Sequence, residues 1–495
     1  MAFDLSDLPS GEIFVGGTWQ TGRGAEITSI FPADRSLNRV VKGAAAEDVE
    51  QAIDRAQAAQ TAWGRTKAHE RAAILHRISE GIAANADRIS FIQTRDTGKT
   101  LTETKALALS AAGTFRYFAG VVETADEAAT VPRADTLTLS LHEPIGLVSA
   151  ITPWNSPIAS DAQKVAPALA AGNAVLLKPA SWSPLVSLEF ARIADAAGLP
   201  KGLLSVLPGS GGVVGELLVT HPAIGRVSFT GGTSVGRGIA LKAAEKLMPV
   251  SLELGGKSPT IVFSDADMDI AIAGILFGIF SSTGQSCIAG SRLYVERAIY
   301  EPFVERLVAA TRNLVVGHPF DAATQVAPLI HDDHRKSVEE FVASGLADGG
   351  TVLTGGARPT GALYDAGVYY QPTIVAGLSA DAHLAREEVF GPVLTVFPFD
   401  SEDEVIRLGN DNAYGLACGI WTRDTPKALR VGRRITAGTV WINTYKQFSI
   451  ATPFGGMKDS GVGREKGRAG LFAYMNQKSY YLDLTNQPHP WARLG

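Results

Sequence analysis

Arg226-Val227-Ser228-Phe229-Thr230-Gly231-Gly232-Thr233-Ser234-Val235-Gly236 is a β-branched and aromatic run that stops on paired glycines and continues in a helical pattern. A strand broken by glycine ahead of a helix leaves backbone N–H groups free to receive a phosphate. The same punctuation stands one unit earlier, at Pro208-Gly209-Ser210-Gly211-Gly212 with Gly215. A single turn of this kind is a plain connection, whereas two in succession point to a dinucleotide site. Neither carries the GxGxxG fingerprint with an acidic residue ~20 positions on, so the binding differs in detail from a standard Rossmann domain.

Outward from this stretch, strand-like runs at 146–152, 174–178, 203–207, 226–230 and 250–254 alternate with helical patterns. Their spacing suits βαβ units with right-handed crossovers. A second set, at 260–263, 292–295, 393–397, 416–421 and 439–442, predicts another α/β domain. The first third reads as helical after a short start: Ile74, Leu75, Ile78 and Ile82 share one face, and Val49, Ile53 and Trp63 mark another amphipathic stretch. Residues 130–143 alternate Thr136, Thr138 and Ser140 against Leu137, Leu139 and Leu141, and 480–484 is similar. Two half-exposed strands outside both domains predict an oligomerisation arm, because unpaired edges aggregate.

The expected architecture is therefore α/β: a Rossmann-like doubly wound cofactor domain, a second α/β catalytic domain and a β arm. Boundaries fall at 1–121 with 145–255 for the first, 256–459 for the second, and 122–144 with 460–495 for the arm and C-terminal segment. The 495 residues are 45% hydrophobic and 19% charged, ample for large cores. A net charge of −5 leaves no basic surface for nucleic acid, and the longest apolar run, 270–280, falls short of a membrane span. The acidic N-terminus lacks a secretory pattern, and two cysteines, Cys287 and Cys418, fit a reducing compartment, so the expected location is the cytoplasm.

Leu252-Glu253-Leu254-Gly255-Gly256-Lys257-Ser258-Pro259 and Gly284-Gln285-Ser286-Cys287 resemble the two signature motifs of the aldehyde dehydrogenase superfamily. The resemblance continues in order through Pro153-Trp154-Asn155, Lys178-Pro179-Ala180, Glu388-Val389-Phe390-Gly391-Pro392 and Pro453-Phe454-Gly455-Gly456. It spans nearly the whole chain, from about Phe14 to Leu484. It implies oxidation of an aldehyde to a carboxylic acid with NAD(P). Cys287 would be the nucleophile, the Asn155 amide and the Cys287 backbone N–H would hold the oxyanion, and Glu253 would activate the hydrolytic water. Lys164 matches a position near the active site, with a supporting electrostatic role or a place on a helix surface both open. Cys418 reads as a core residue in an apolar strand.

For the cofactor, the resemblance points to Thr152, Pro153, Trp154, Lys178, Ala180, Ser181, Gly211, Gly215, Phe229, Thr230, Gly231, Gly232, Ser234, Leu254, Glu388 and Phe390. Ser181 stands where NAD-restricted relatives commonly carry glutamate, so NADP or dual use is expected: serine does not repel a 2′-phosphate. The substrate pocket is expected from Ser156, Ser160, Gln163, Ser281, Ile288, Phe448 and Phe454. Hydroxyls and an amide on the helix after Asn155 imply a roomy, polar tunnel, and Gln163 supplies no ring for a quaternary ammonium aldehyde of the betaine type. Lys446 reads as a solvated loop lysine, with attraction of a carboxylate-bearing semialdehyde as the alternative.

His331 and His334 beside Asp332 and Asp333 read as a solvated helix start, so no metal is expected. The expected partner is a small-molecule aldehyde, with no nucleic acid or membrane, and the chain is expected to form a homodimer or homotetramer. Two other activities share a reactive cysteine: a coenzyme A-acylating semialdehyde dehydrogenase, against which Glu253 argues, and a cysteine esterase or hydrolase without nucleotide, for which no histidine lies in the nearby motifs.

Overall fold

The computed structural model describes residues 3–489 and 491–492. Five parallel strands form the centre of an eight-stranded sheet: Leu147–Ile151, Ala174–Lys178, Leu204–Val206, Ile224–Thr230 and Val250–Glu253. In space they run third, second, first, fourth, fifth. The order reverses between the first and fourth, which pair with Ala150 against Ser228 and Ile151 against Phe229. At such a reversal the crossovers depart to opposite faces, and a crevice opens beyond the carboxyl ends of the two strands. The strands Leu147–Ile151 and Ala174–Lys178 are buried along their whole length, as required where helices cover both faces.

The amphipathic stretches become the helices Ala46–Arg65 and Ala68–Ala84, whose Val49, Ile53, Trp63, Leu75, Ile78 and Ile82 join one core with the sheet. Burying each such side chain contributes about 1.5–3 kcal/mol. The short start before these helices is built of the strands Ile13–Val15, Thr18–Gln20, Glu26–Ile30 and Leu37–Lys42, which lie outside the sequence-based expectation. Ile13–Val15 adds to the sheet edge, with Phe14 antiparallel to Val206. The first two strands, of three residues each, offer too little alternation to be recognised from a pattern.

The second sheet has seven strands in the order Thr351–Thr354, Thr373–Ala376, Val393–Phe399, Arg292–Glu296, Pro259–Val262, Ala417–Trp421 and Thr439–Ile442. Only the first pair is antiparallel. Cys418 is fully buried here.

A third sheet joins the hairpin Ala128–Arg133 and Thr136–Pro144 to Met475–Asp483, which pairs along its full length from Met475 with Pro144 to Asp483 with Thr136. Between the two α/β units and this sheet, the segment after residue 460 divides differently from the expectation. Gly461–Val462 pairs with Leu252 and Glu253 and closes the far edge of the first sheet. A Cβ on Gly461 would lie 2.0 Å from the Leu252 carbonyl oxygen, so only glycine allows that approach. No helix among the described residues is long and apolar enough to cross a membrane.

Candidate active site

A cavity of about 660 Å³ lies beyond the strand ends at the reversal. Thr152, Pro153, Trp154 and Asn155 prolong the first strand into it, Lys178 and Ala180 the second, Phe229, Thr230, Gly231 and Gly232 the fourth, and Leu254 the fifth. Gly211 and Gly215 line it from the turn after the third strand, and Glu388 and Phe390 from the turn that leads into the second sheet's strand Val393–Phe399. Cys287 and Glu253 line the same cavity. Two expected cofactor residues do not. Ser181 lines an adjoining cavity of about 570 Å³ with Trp182 and His331, and its hydroxyl donates to the Gly209 carbonyl at 3.3 Å. Ser234 faces a groove shared with Arg237, Tyr414 and Asp459.

The nucleophile candidate follows an unusual turn. After the helix Met268–Phe280, Ser282, Thr283 and Gly284 take φ of 58°, 55° and 70° in succession. For the two residues with side chains this conformation costs roughly 1–2 kcal/mol each, so their surroundings must hold it. The Glu103 carboxylate accepts the Ser282 N–H at 2.5 Å, the Thr283 hydroxyl donates to the Ala327 carbonyl at 2.8 Å, and the Gln285 side-chain oxygen accepts the Ile330 N–H at 2.9 Å. The Asn155 amide donates to the Gln285 backbone carbonyl at 2.9 Å, which ties the oxyanion candidate to the turn. Burial pushes the Cys287 thiol up to about 12, with the Glu388 and Glu253 carboxylates adding to the effect.

Glu253 is 3% exposed, and neither carboxylate oxygen has a hydrogen-bond partner among the described residues. Burial, and then the Glu465 charge, raise it well above the ordinary carboxylate range, against the pull of Lys164, Arg464 and Lys466. Lys164 does not line the cavity: it is fully buried and donates to the Ser228 hydroxyl at 3.1 Å and to Glu465. Gln163 donates to the other Glu465 oxygen. Glu465 thus organises this side of the site, and no motif read from the sequence includes it.

On the cofactor side, burial lowers Lys178 to about 8, and its ammonium donates to the Pro179 carbonyl at 3.2 Å. Burial raises Glu388 to about 7, and it accepts the Gly256 N–H at 2.9 Å. Gly211 and Gly232 have open space where a side chain would stand, so a ligand can approach their backbone. A buried cation, a carboxylate and bare glycine backbone at a strand-order reversal fit a dinucleotide.

Toward the substrate, Ser156, Ser160 and Gln163 recur at helical spacing on the half-buried face of Pro157–Ala170, with Ser156 as its N-cap. Phe448 and Phe454 meet edge-on at 5.5 Å, and Ile288 is buried in the cluster that holds Cys287 and Phe454. Lys446 is not a solvated loop lysine, because its ammonium donates to the Ser281 hydroxyl at 2.7 Å. His331 stacks on Trp182 at 5.1 Å, and His334 Nε2–H donates to the Phe390 carbonyl at 2.8 Å. Among the described residues no group of three or more His, Cys, Asp or Glu side chains gathers to hold a metal.

The family model described as Aldehyde dehydrogenase family matches residues 19–480. The chain is 40% identical over 485 residues to a betaine aldehyde dehydrogenase of Mesorhizobium japonicum, covering 98% of this chain and 99% of that one. It is 39% identical over 473 residues to one from Bacillus subtilis, covering 95% and 96%. The crystal structure of betaine aldehyde dehydrogenase from Staphylococcus aureus in complex with NAD+ superposes with a TM-score of 0.96 at 34% identity, covering 99% of this chain and 98% of that one. A putative aldehyde dehydrogenase from Burkholderia cenocepacia gives 0.96 at 37%, covering 98% and 100%. With the match running through both sheets and the cavity at their strand ends, the chain belongs to the aldehyde dehydrogenase family and is an NAD(P)-dependent oxidoreductase of that kind.

Proposed function

We propose that this enzyme oxidises its aldehyde to the carboxylic acid through a thioester on Cys287, hydrolysed by water that Glu253 activates. The observation that carries this reading is the buried Glu253 carboxyl, unpaired at both oxygens among the described residues, on the same cavity as the Cys287 thiol and the Asn155 amide. The Cys287 thiol gives up its proton to water as its sulfur adds to the aldehyde carbon, and the carbonyl electron pair moves onto oxygen. Asn155 and the Cys287 backbone N–H donate to that oxygen, while Lys164 supports Glu253 electrostatically. The bound dinucleotide supplies the acceptor for the hydride that leaves the same carbon. Glu253 then takes a proton from water as it attacks the thioester, and Cys287 leaves as thiolate. A base positioned for water favours hydrolysis over transfer to coenzyme A.

The Glu253→Gln variant tests this. It is expected to release one burst of reduced cofactor per site and then stall; sustained turnover at the wild-type rate refutes the assignment.

For the cofactor, the reading is NADP or dual use. The neutral Ser181 hydroxyl borders a cavity with room beside it, where Glu26 is the one carboxylate among the described lining residues. The domain limits are read as given above except that Gly461–Val462 belongs with the first sheet, and the three-stranded sheet is read as the oligomerisation arm: Val131 and Tyr481 are 66% and 78% exposed on it. Two free cysteines in a chain of this size suit the cytoplasm. The substrate is a small aldehyde, and betaine aldehyde, named for the relatives, is the comparison compound.

A further inference from the structure

Two ammonium groups whose charges bear on Cys287 react at no step above, although that of Lys466 also acts on Glu253. Lys446 lies in the loop that carries Phe448, and its Nζ donates to the Ser281 hydroxyl at 2.7 Å and reaches the Ser281 carbonyl at 3.4 Å. Lys466 comes from the turn before the helix Gly467–Phe472, and its Nζ stands 4.1 Å from the Phe448 ring centre and 5.3 Å from that of Phe454. Both residues hold left-handed backbone, with φ of 54° and 59°, a strained conformation for a side-chain-bearing residue. Neither makes an ion pair among the described residues.

The carboxylates nearby are already committed. Glu103 accepts from Ser282 and Thr100, Glu465 from Lys164, Gln163 and Ser228, and Glu253 is the base of the reading above. Lys99, buried, adds a further positive charge on the Lys446 side. Half-buried cations that make no ion pair are stabilised by a ligand that supplies the counter-charge. In keeping with that, burial lowers Lys446 to about 7 and also lowers Lys466.

We propose that Lys446 and Lys466 form a carboxylate subsite, and that the preferred substrates are aldehydes bearing a carboxylate at the far end of an apolar spacer. The spacer would pack on Phe448 and Phe454, with charge-assisted hydrogen bonds from the two ammonium groups fixing the far end. A trimethylammonium group offers neither acceptor nor negative charge and would meet two cations instead. This inference rests on Cys287 and Glu253 as the reacting centre.

The test compares kcat/KM for succinate semialdehyde, butyraldehyde and betaine aldehyde, and for benzaldehydes carrying a para carboxylate, methyl or trimethylammonium group. The anionic member of each series is expected to exceed the neutral one by about tenfold or more, the value of one charge-assisted hydrogen bond, with the cationic member last. Lys446→Met and Lys466→Met should each lower the ratio of anionic to neutral kcat/KM by about tenfold, chiefly through KM. A cationic preference, equal rates across each series, or variants that lower all members alike would overturn the subsite. Calorimetric titration with succinate and butyrate reads the subsite without turnover: wild type should favour succinate and both variants should lose that preference. No turnover of any aldehyde alongside retained succinate preference would instead sink the Cys287 and Glu253 reading.

Discussion

The side-chain amide of Asn155 donates to the backbone carbonyl of Gln285, two residues before the thiol of Cys287, at 2.9 Å. One N–H of the amide is thereby spent on position, and the other is free among the described residues. Asn155→Ala should lower kcat by about 100-fold or more, the usual loss for one oxyanion donor of ~3 kcal/mol. Steady-state formation of reduced cofactor measures it, and a loss confined to KM would exclude the oxyanion role.

As the proposed base, Glu253 acts only in its carboxylate form, which exists above its raised pKa, so kcat limited by hydrolysis should climb with pH through that value. Glu465 is the second cause of the rise after burial, while Lys164, Arg464 and Lys466 act the other way. Glu465→Gln removes a raising influence and leaves the cations, so the acid limb of the kcat profile should move to lower pH. An unmoved limb, with the fold intact by circular dichroism, would show that Glu465 does not act on Glu253.

Ser181→Glu places a carboxylate beside the cavity of about 570 Å³ next to the cofactor crevice. A unit negative charge near a phosphate should weaken NADP binding by roughly tenfold or more relative to NAD. Dissociation constants from fluorescence titration of both dinucleotides decide it. Equal losses would mean that Ser181 does not read the 2′ position.

The three-stranded sheet leaves Tyr481 78% exposed in the single chain. If this sheet mediates association, Tyr481→Asp should shift the species seen by sedimentation velocity toward the monomer. Unchanged sedimentation would assign the arm another role.

The motif-borne part of the site was legible because the chemistry sits at strand ends, where glycine punctuation and a short reactive string occur together. Glu253, Asn155 and Lys178 reach the cavity from strand ends, while Cys287 and Glu388 reach it from turns that carry motifs of their own. Long-range support was not legible. Glu103 holds the nucleophile turn from 179 residues away, and Glu465 meets Lys164 across 301, so no local pattern records either pairing. Lys446 misled for a related reason: a loop lysine is ordinarily solvated, and only the return of its ammonium onto Ser281 shows otherwise. Ile13–Val15 and Thr18–Gln20 escaped because three-residue segments carry almost no periodicity, whereas the five parallel strands were marked by their recurrence at βαβ spacing.

Gly256 lies where the chain leaves the first sheet for the second, and a Cβ there would stand 2.2 Å from the carbonyl oxygen of Cys287. The two halves of the molecule therefore meet backbone to backbone at the reactive residue, with no side chain between them to act as a cushion. Sliding of one sheet against the other would press directly on the backbone of Cys287. The alignment of nucleophile and crevice is thus gauged by a single missing methyl group, which makes this joint the mechanical reference point of the enzyme.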